Sequence, residues 1–105
     1  MSQYVYILYS SSKDSFYKGQ CSNIRERLHR HNSGYELYTK SGVPWKLLWF
    51  TEKKLKSEAL KLEKKLKNLT RIRTIELMQK YQEDIVGPDE LILINQLSGC
   101  WQNRQ

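Results

Sequence analysis

Cysteine is scarce in this chain: Cys21 and Cys100 are the two in 105 residues, and they form no Cys-x-x-Cys pair. A disulfide-stapled scaffold is therefore excluded, and two reduced thiols in a cytoplasmic protein are favoured over a single bridge. Long apolar runs are missing too. No segment approaches the roughly 20 apolar residues that a bilayer-spanning helix needs, so no membrane role is expected. Met1-Ser2-Gln3 leads straight into a short alternating stretch, without the basic start and apolar core of a signal peptide. Neither an internal repeat nor a low-complexity segment is present. The length suits one compact domain and not two of ordinary size.

Acidic residues are few in one place. Residues 53–73 carry nine Lys/Arg against two acids, residues 1–52 carry seven against four, and residues 74–105 carry two against five. The formal net charge of +7 is thus a local basic block with a weakly acidic tail. Such a block suits a polyanionic partner, with nucleic acid as the first candidate. A Lys-rich solvated helix face would look the same in isolation.

Local patterning gives an element order. Residues 3–10, rich in Tyr, Val, Ile and Leu, predict a strand. After the polar cluster at 10–15, residues 16–21 predict a second strand ending near Gly19, paired as a hairpin that sets Tyr6 and Tyr17 on neighbouring strands. Asn23 followed by Glu26 matches a capping box, opening a helix from Ile24 to about His31 that stops at Asn32-Ser33-Gly34. Residues 33–44 predict loop, and Trp45–Thr51 a third, buried strand. From Lys53 the period changes: Leu55, Ala59, Leu62, Leu66 and Leu69 are spaced 4, 3, 4, 3, one stripe on a helix. Thr70 is expected to cap another helix with Ile72, Ile75, Met78 and Tyr81 inward. Gly87-Pro88 breaks the chain, and Asp89 is expected to cap a short helix through Leu91, Ile94 and Leu97. The resulting expectation is an α+β fold, a small three-stranded antiparallel sheet flanked by helices. Residues 1–81 would form the main domain, and 82–105 an acidic and apolar extension packed on it.

Singly, the polar residues are unremarkable. Strand tyrosines usually pack, a helix-end histidine usually meets the helix dipole, and Glu63 is placed to pair with Lys67 one turn on. Together they offer chemistry. Arg27 and His31 are four apart and share a helix face. Arginine suits bidentate contact with phosphate, and histidine can hold or relay a proton. Glu63 is one of two acids in the basic block and flanks the apolar stripe. A lone carboxylate with open water positions suits Mg²⁺ or Mn²⁺.

In order along the chain, Tyr4-Val5-Tyr6, then Tyr17-Lys18-Gly19, Asn23-Ile24, Arg27-Leu28, His31-Asn32 and Gly34, Trp45–Leu48, and the helix around Glu63 resemble the GIY-YIG nuclease superfamily. The likeness spans about residues 3–69 and is nearest to the small single-domain members. It implies a metal-dependent DNA endonuclease. Tyr6, Tyr17, Arg27, His31 and Glu63 would form the catalytic set, and Glu63 would hold a single Mg²⁺ or Mn²⁺. The resemblance implies that Tyr6 or Tyr17, or water held by them, activates the nucleophile; Tyr6 is favoured as activator and Tyr17 as positioning group, with Arg27 and the metal lowering a phenol that ordinarily titrates near pH 10. Lys18, Gly19, Arg25, Arg30, Lys64 and Lys67 are the expected nucleic-acid contacts, Gly19 by close backbone approach to a phosphate. Three departures stand out: Tyr4 replaces the first glycine, Lys18 the central isoleucine, and Ile75 an asparagine found in some larger members.

The expected function is phosphodiester hydrolysis in DNA, selecting structure rather than sequence, as in DNA repair. RNA remains open as a second substrate, and the oligomeric state is not set by the sequence. The alternative is a non-catalytic nucleic-acid-binding module of the same fold. A protein-interaction role through Leu91–Leu97 has no positive support.

Overall fold

A computed structural model describes the backbone of residues 2–102 and the side chains of residues 2–99. Cys100, half of the thiol expectation, lies outside the described side chains. Strands β1 (Gln3–Ser10) and β2 (Ser15–Cys21) lead into helix α1 (Ile24–Asn32). Strand β3 (Trp45–Lys53) and helices α2 (Lys56–Lys67), α3 (Arg71–Lys80) and α4 (Pro88–Gln102) follow. The sheet is antiparallel in the order β2-β1-β3, the α+β arrangement expected.

Central strand β1 is buried from Val5 to Ser10 because both its faces are covered. Side chains alternate across a strand. Val5, Ile7 and Tyr9 point to one face and join Ala59, Leu66, Ile75, Met78 and Ile94 from α2, α3 and α4. Tyr6 and Leu8 point to the other and join Cys21, Trp45, Ile24 and Leu28 beneath α1. A bulge interrupts the β1–β3 ladder, where Ile7 faces Trp49 but Leu8 faces Leu47. The extra residue lets consecutive Leu48 and Trp49 both enter the helical core.

The helices start where their caps dictate. The Asn23 side chain accepts from the Glu26 backbone N–H at 3.0 Å, and Thr70 accepts from that of Arg73 at 3.2 Å. Helix α1 is tied to β3 by a two-way clasp. Asn32 accepts from the Trp45 backbone N–H at 2.5 Å and donates to the Trp45 carbonyl at 3.0 Å. The loop between them begins at Gly34, whose φ of 81° suits glycine, and contains a short 3-10 turn at Lys40–Gly42.

Several expectations need correction. Gly19 lies within β2, paired with Tyr6, rather than at the strand's end. β3 runs two residues beyond Thr51, and α2 begins at Lys56, leaving Leu55 at the N-cap and 60% exposed. On α3 the inward face is Thr74, Ile75 and Met78. Ile72 sits two residues from Thr74, about 200° round the helix, and turns outward. Tyr81 leaves the helix and is exposed, its carbonyl accepting from Trp49 Nε1 at 3.0 Å. Asp89 is not a cap. Helix α4 starts at Pro88, the first helical position that proline favours, and is 15 residues long rather than short.

Ile94 is fully buried between α4 and the helical core. Ile94→Ala is expected to cost about 2–5 kcal/mol and to lower the urea midpoint while unfolding stays a single transition. An unchanged midpoint would show that α4 does not share the core.

Candidate active site

The site grows from the α1-facing side of β1 and β2. Tyr6 lies opposite Gly19 in the ladder, and the glycine is required by contact. A Cβ there would sit 2.6 Å from the Tyr6 hydroxyl and 3.2 Å from the Tyr17 ring. The close approach at Gly19 is made by Tyr6, a different partner from the phosphate expected there. The Tyr6 and Tyr17 rings lie 6.4 Å apart, and Tyr17 meets the His31 ring edge-on at 4.9 Å.

The Tyr6 hydroxyl is 3.0 Å from His31 Nε2, and His31 Nδ1 is 2.9 Å from Thr39 Oγ1. Thr39 Oγ1 in turn donates to the Glu36 carbonyl at 3.4 Å. One assignment gives every proton in this line an acceptor: Tyr6 O–H donates to Nε2, and Nδ1–H donates to Thr39. The reverse tautomer would leave the buried phenol proton without one. Tyr6 and His31 are 1% and 2% exposed. Burial pushes the Tyr6 phenol well above its ordinary range, more than the Arg27 guanidinium beside it pulls it down. Burial also lowers His31, and Arg27 and Arg30 add to that while Glu36 opposes it. The resting pair is a neutral phenol donating to a neutral imidazole.

Tyr17 opens outward. With Phe16, Lys18, Tyr38 and Lys67 it lines a pocket of about 480 Å³. Its phenol is raised mainly by burial; Lys67 and Arg27 oppose the rise, while Glu63 and Glu36 add to it. Half-buried Lys18 has its amine lowered by desolvation.

Glu63 reaches the edge strand β2 from α2. Its Oε1 accepts from Gln20 Nε2 at 3.1 Å, and its Oε2 is 3.3 Å from the Lys67 ammonium. Gln20 Oε1 is buried and has no hydrogen-bond partner among the described residues. Also among them, no group of three or more His, Cys, Asp or Glu residues could cage a metal. Any ion here would rest on one carboxylate and keep most of its waters, which suits Mg²⁺ chemistry. The orphaned acceptor beside that carboxylate fits such an ion.

Tyr6, Tyr17, Arg27 and His31 therefore gather on one side of the sheet, while Glu63 comes round the β2 edge towards Tyr17. Lys18 and Lys67 join at the pocket. Arg25 lines a separate groove with Tyr4 and Phe50, Arg30 pairs with Glu36 at 2.9 Å, and Lys64 is exposed along α2. Sequence reasoning missed Gln20, Thr39 and Tyr38. Strand alternation after Gly19 could have pointed Gln20 towards α2; nothing local marks Thr39 or Tyr38.

Residues 2–79 match the family model described as the GIY-YIG catalytic domain. The chain belongs to the GIY-YIG family. A UPF0213 protein of Syntrophus aciditrophicus (strain SB) is 39% identical over 82 residues, covering 76% of this chain and 93% of that one. A UPF0213 protein of Clostridium perfringens (strain 13 / Type A) is 37% identical over 76 residues, covering 71% and 81%. The solution NMR structure of a UPF0213 protein from Bacillus halodurans is similar with a TM-score of 0.51 at 31% identity, over 75% of this chain and 84% of that one. GIY-YIG domains are typically nucleases that use a divalent metal, which makes nucleic acid the general class of substrate.

Two outcomes follow for this GIY-YIG site. Gly19→Ala is expected to cost about 1–3 kcal/mol in urea unfolding and to shift the His31 ring resonances, because Tyr6 must move. His31 lies below its ordinary value of 6.5 in the fold, so the unfolded chain takes up a proton first as pH falls. Its contribution is complete above that value and is lost on acidification towards the folded value. Thermal midpoints measured from about pH 7.5 down to about pH 5 are expected to drop more steeply in the wild type than in His31→Gln. Equal slopes would contradict a neutral, buried His31.

Proposed function

We propose that this protein is a Mg²⁺- or Mn²⁺-dependent DNA endonuclease that selects DNA structure rather than base sequence. The observation that carries the reading is the hydrogen-bonded line Tyr6–His31–Thr39, with Tyr17 packed on His31 and lining a cationic pocket whose Lys67 pairs with the Glu63 carboxylate at 3.3 Å. A phosphodiester needs charge neutralisation, an activated water and a stabilised leaving oxygen. Lys18 and Lys67 meet a phosphate in the pocket, and Arg27 offers its fork to the non-bridging oxygens. Glu63 would hold the divalent ion, whose Lewis acidity lowers the cost of charge on phosphate and leaving oxygen.

The phenol of Tyr6 is protonated at rest, so it works as a relay rather than a free base. It takes a proton from the attacking water only as its own passes to His31 Nε2. Thr39 keeps the imidazole in the accepting tautomer. Because the Tyr6 hydroxyl is closed to solvent at rest, the relay starts once substrate has rearranged the pocket around Tyr17. The 105 residues offer little surface for reading base edges, which favours selection by DNA structure.

With Mg²⁺ or Mn²⁺, a panel of duplex, nicked, flapped and branched DNA is expected to include a cleaved member. Glu63→Ala should abolish cleavage and leave most binding. Tyr6→Phe and His31→Ala should each slow it by about 10²–10⁴-fold, and the double variant should be no slower than the worse single one. Binding that weakens with salt but no cleavage anywhere on the panel would make the protein a binding module instead.

A further inference from the structure

Gln20 carries the one buried side-chain nitrogen or oxygen without a hydrogen-bond partner among the described residues, its Oε1. Leaving a buried acceptor unmet costs about 1–3 kcal/mol, so such an atom calls for an explanation such as an absent water or ion. The amide cannot be reversed to relieve it. Reversal would set the amide oxygen against Glu63 Oε1, where a donor now stands at 3.1 Å. The orphaned oxygen belongs to the same amide that grips the Glu63 carboxylate, and the carboxylate's other oxygen is held by the Lys67 ammonium at 3.3 Å. Lys67 is the mobile partner of the two, with a side chain 53% exposed against 17% for Glu63. Gln20 is the rigid one, fixed in β2 opposite Val5.

We propose that Gln20 is a second residue of the cation site: it orients Glu63 with its amide N–H and turns its carbonyl oxygen to the hydrated divalent ion that replaces Lys67. This rests on the nuclease reading above for the role of Glu63 alone. Resting Lys67 occupies the cation's place by charge, and the ion displaces a flexible ammonium without disturbing the sheet. A carboxylate held from one side by a fixed amide and from the other by an exchangeable cation is pre-oriented for a metal and stays compensated without it.

The test follows the metal directly on the full chain. In a Mg²⁺ titration monitored by carbon-13 NMR, the side-chain carbonyl carbon of Gln20 is expected to shift in step with the carboxyl carbon of Glu63, at one common midpoint. Mn²⁺ binding, read from loss of the free-ion EPR signal, should disappear in Glu63→Gln and weaken about tenfold or more in Gln20→Leu. A Glu63 shift with a stationary Gln20 carbon, or unchanged Mn²⁺ affinity in Gln20→Leu, would overturn the assignment to Gln20 and leave the role of Glu63 intact. If Glu63 itself does not respond to either ion, the metal reading of the site fails along with it.

Discussion

The arrangement around Tyr6 depends on a missing side chain. Its ring can lie across the neighbouring strand only because Gly19 presents bare backbone there, and any Cβ would meet the phenol. From that approach the rest follows. The hydroxyl is driven under α1, where His31 is its partner. His31 is fixed from behind by Thr39, and the loop carrying Thr39 is locked in turn, because the Trp45 indole donates to the Thr39 carbonyl at 2.8 Å. A strand, a helix and a loop are thereby tied to one hydrogen-bonded line.

The same central strand does two different jobs by alternation. Val5, Ile7 and Tyr9 supply hydrophobic burial against α2, α3 and α4, while Tyr6 and its neighbours supply polar chemistry on the reverse face. The face that must hold oriented protons is therefore backed directly by close-packed core. Rigid support of that kind keeps a reactive constellation in place without stiffening the loops around it.

Much of this was legible in the residues. Period-two and period-3.6 patterns found the sheet and the helices, and the capping residues Asn23 and Thr70 located two helix starts. What escaped has physical causes. The bulge that turns both Leu48 and Trp49 into one core breaks simple alternation, so no face count on β3 could be right. Ile72 and Tyr81 read as core because they are apolar, but the helix phase is set by Thr74, Ile75 and Met78. At the site, the order of Tyr6, Tyr17, Arg27, His31 and Glu63 was visible, as was the shared face of Arg27 and His31. The supporting partners were not, because Thr39 lies in an irregular loop and Gln20 meets Glu63 across 43 positions of sequence. Packing of a strand tyrosine was expected, but not that burial of Tyr6 would outweigh the lowering that Arg27 exerts on its phenol.

The distribution of charge across the sheet gives the molecule an orientation. Lysine-rich α2 packs by edge strand β2, while the acidic turn Gln82–Asp84 and the start of α4 lie by β3, where Glu90 pairs with Lys46 at 3.3 Å. The two edges of one small sheet are therefore covered by segments of opposite charge, lysines beside β2 and carboxylates beside β3. A polyanion approaching through solution exerts a torque on such a body before any contact forms. It turns the β2 edge forward and the β3 edge away, so a share of the search for the correct encounter geometry is completed at a distance.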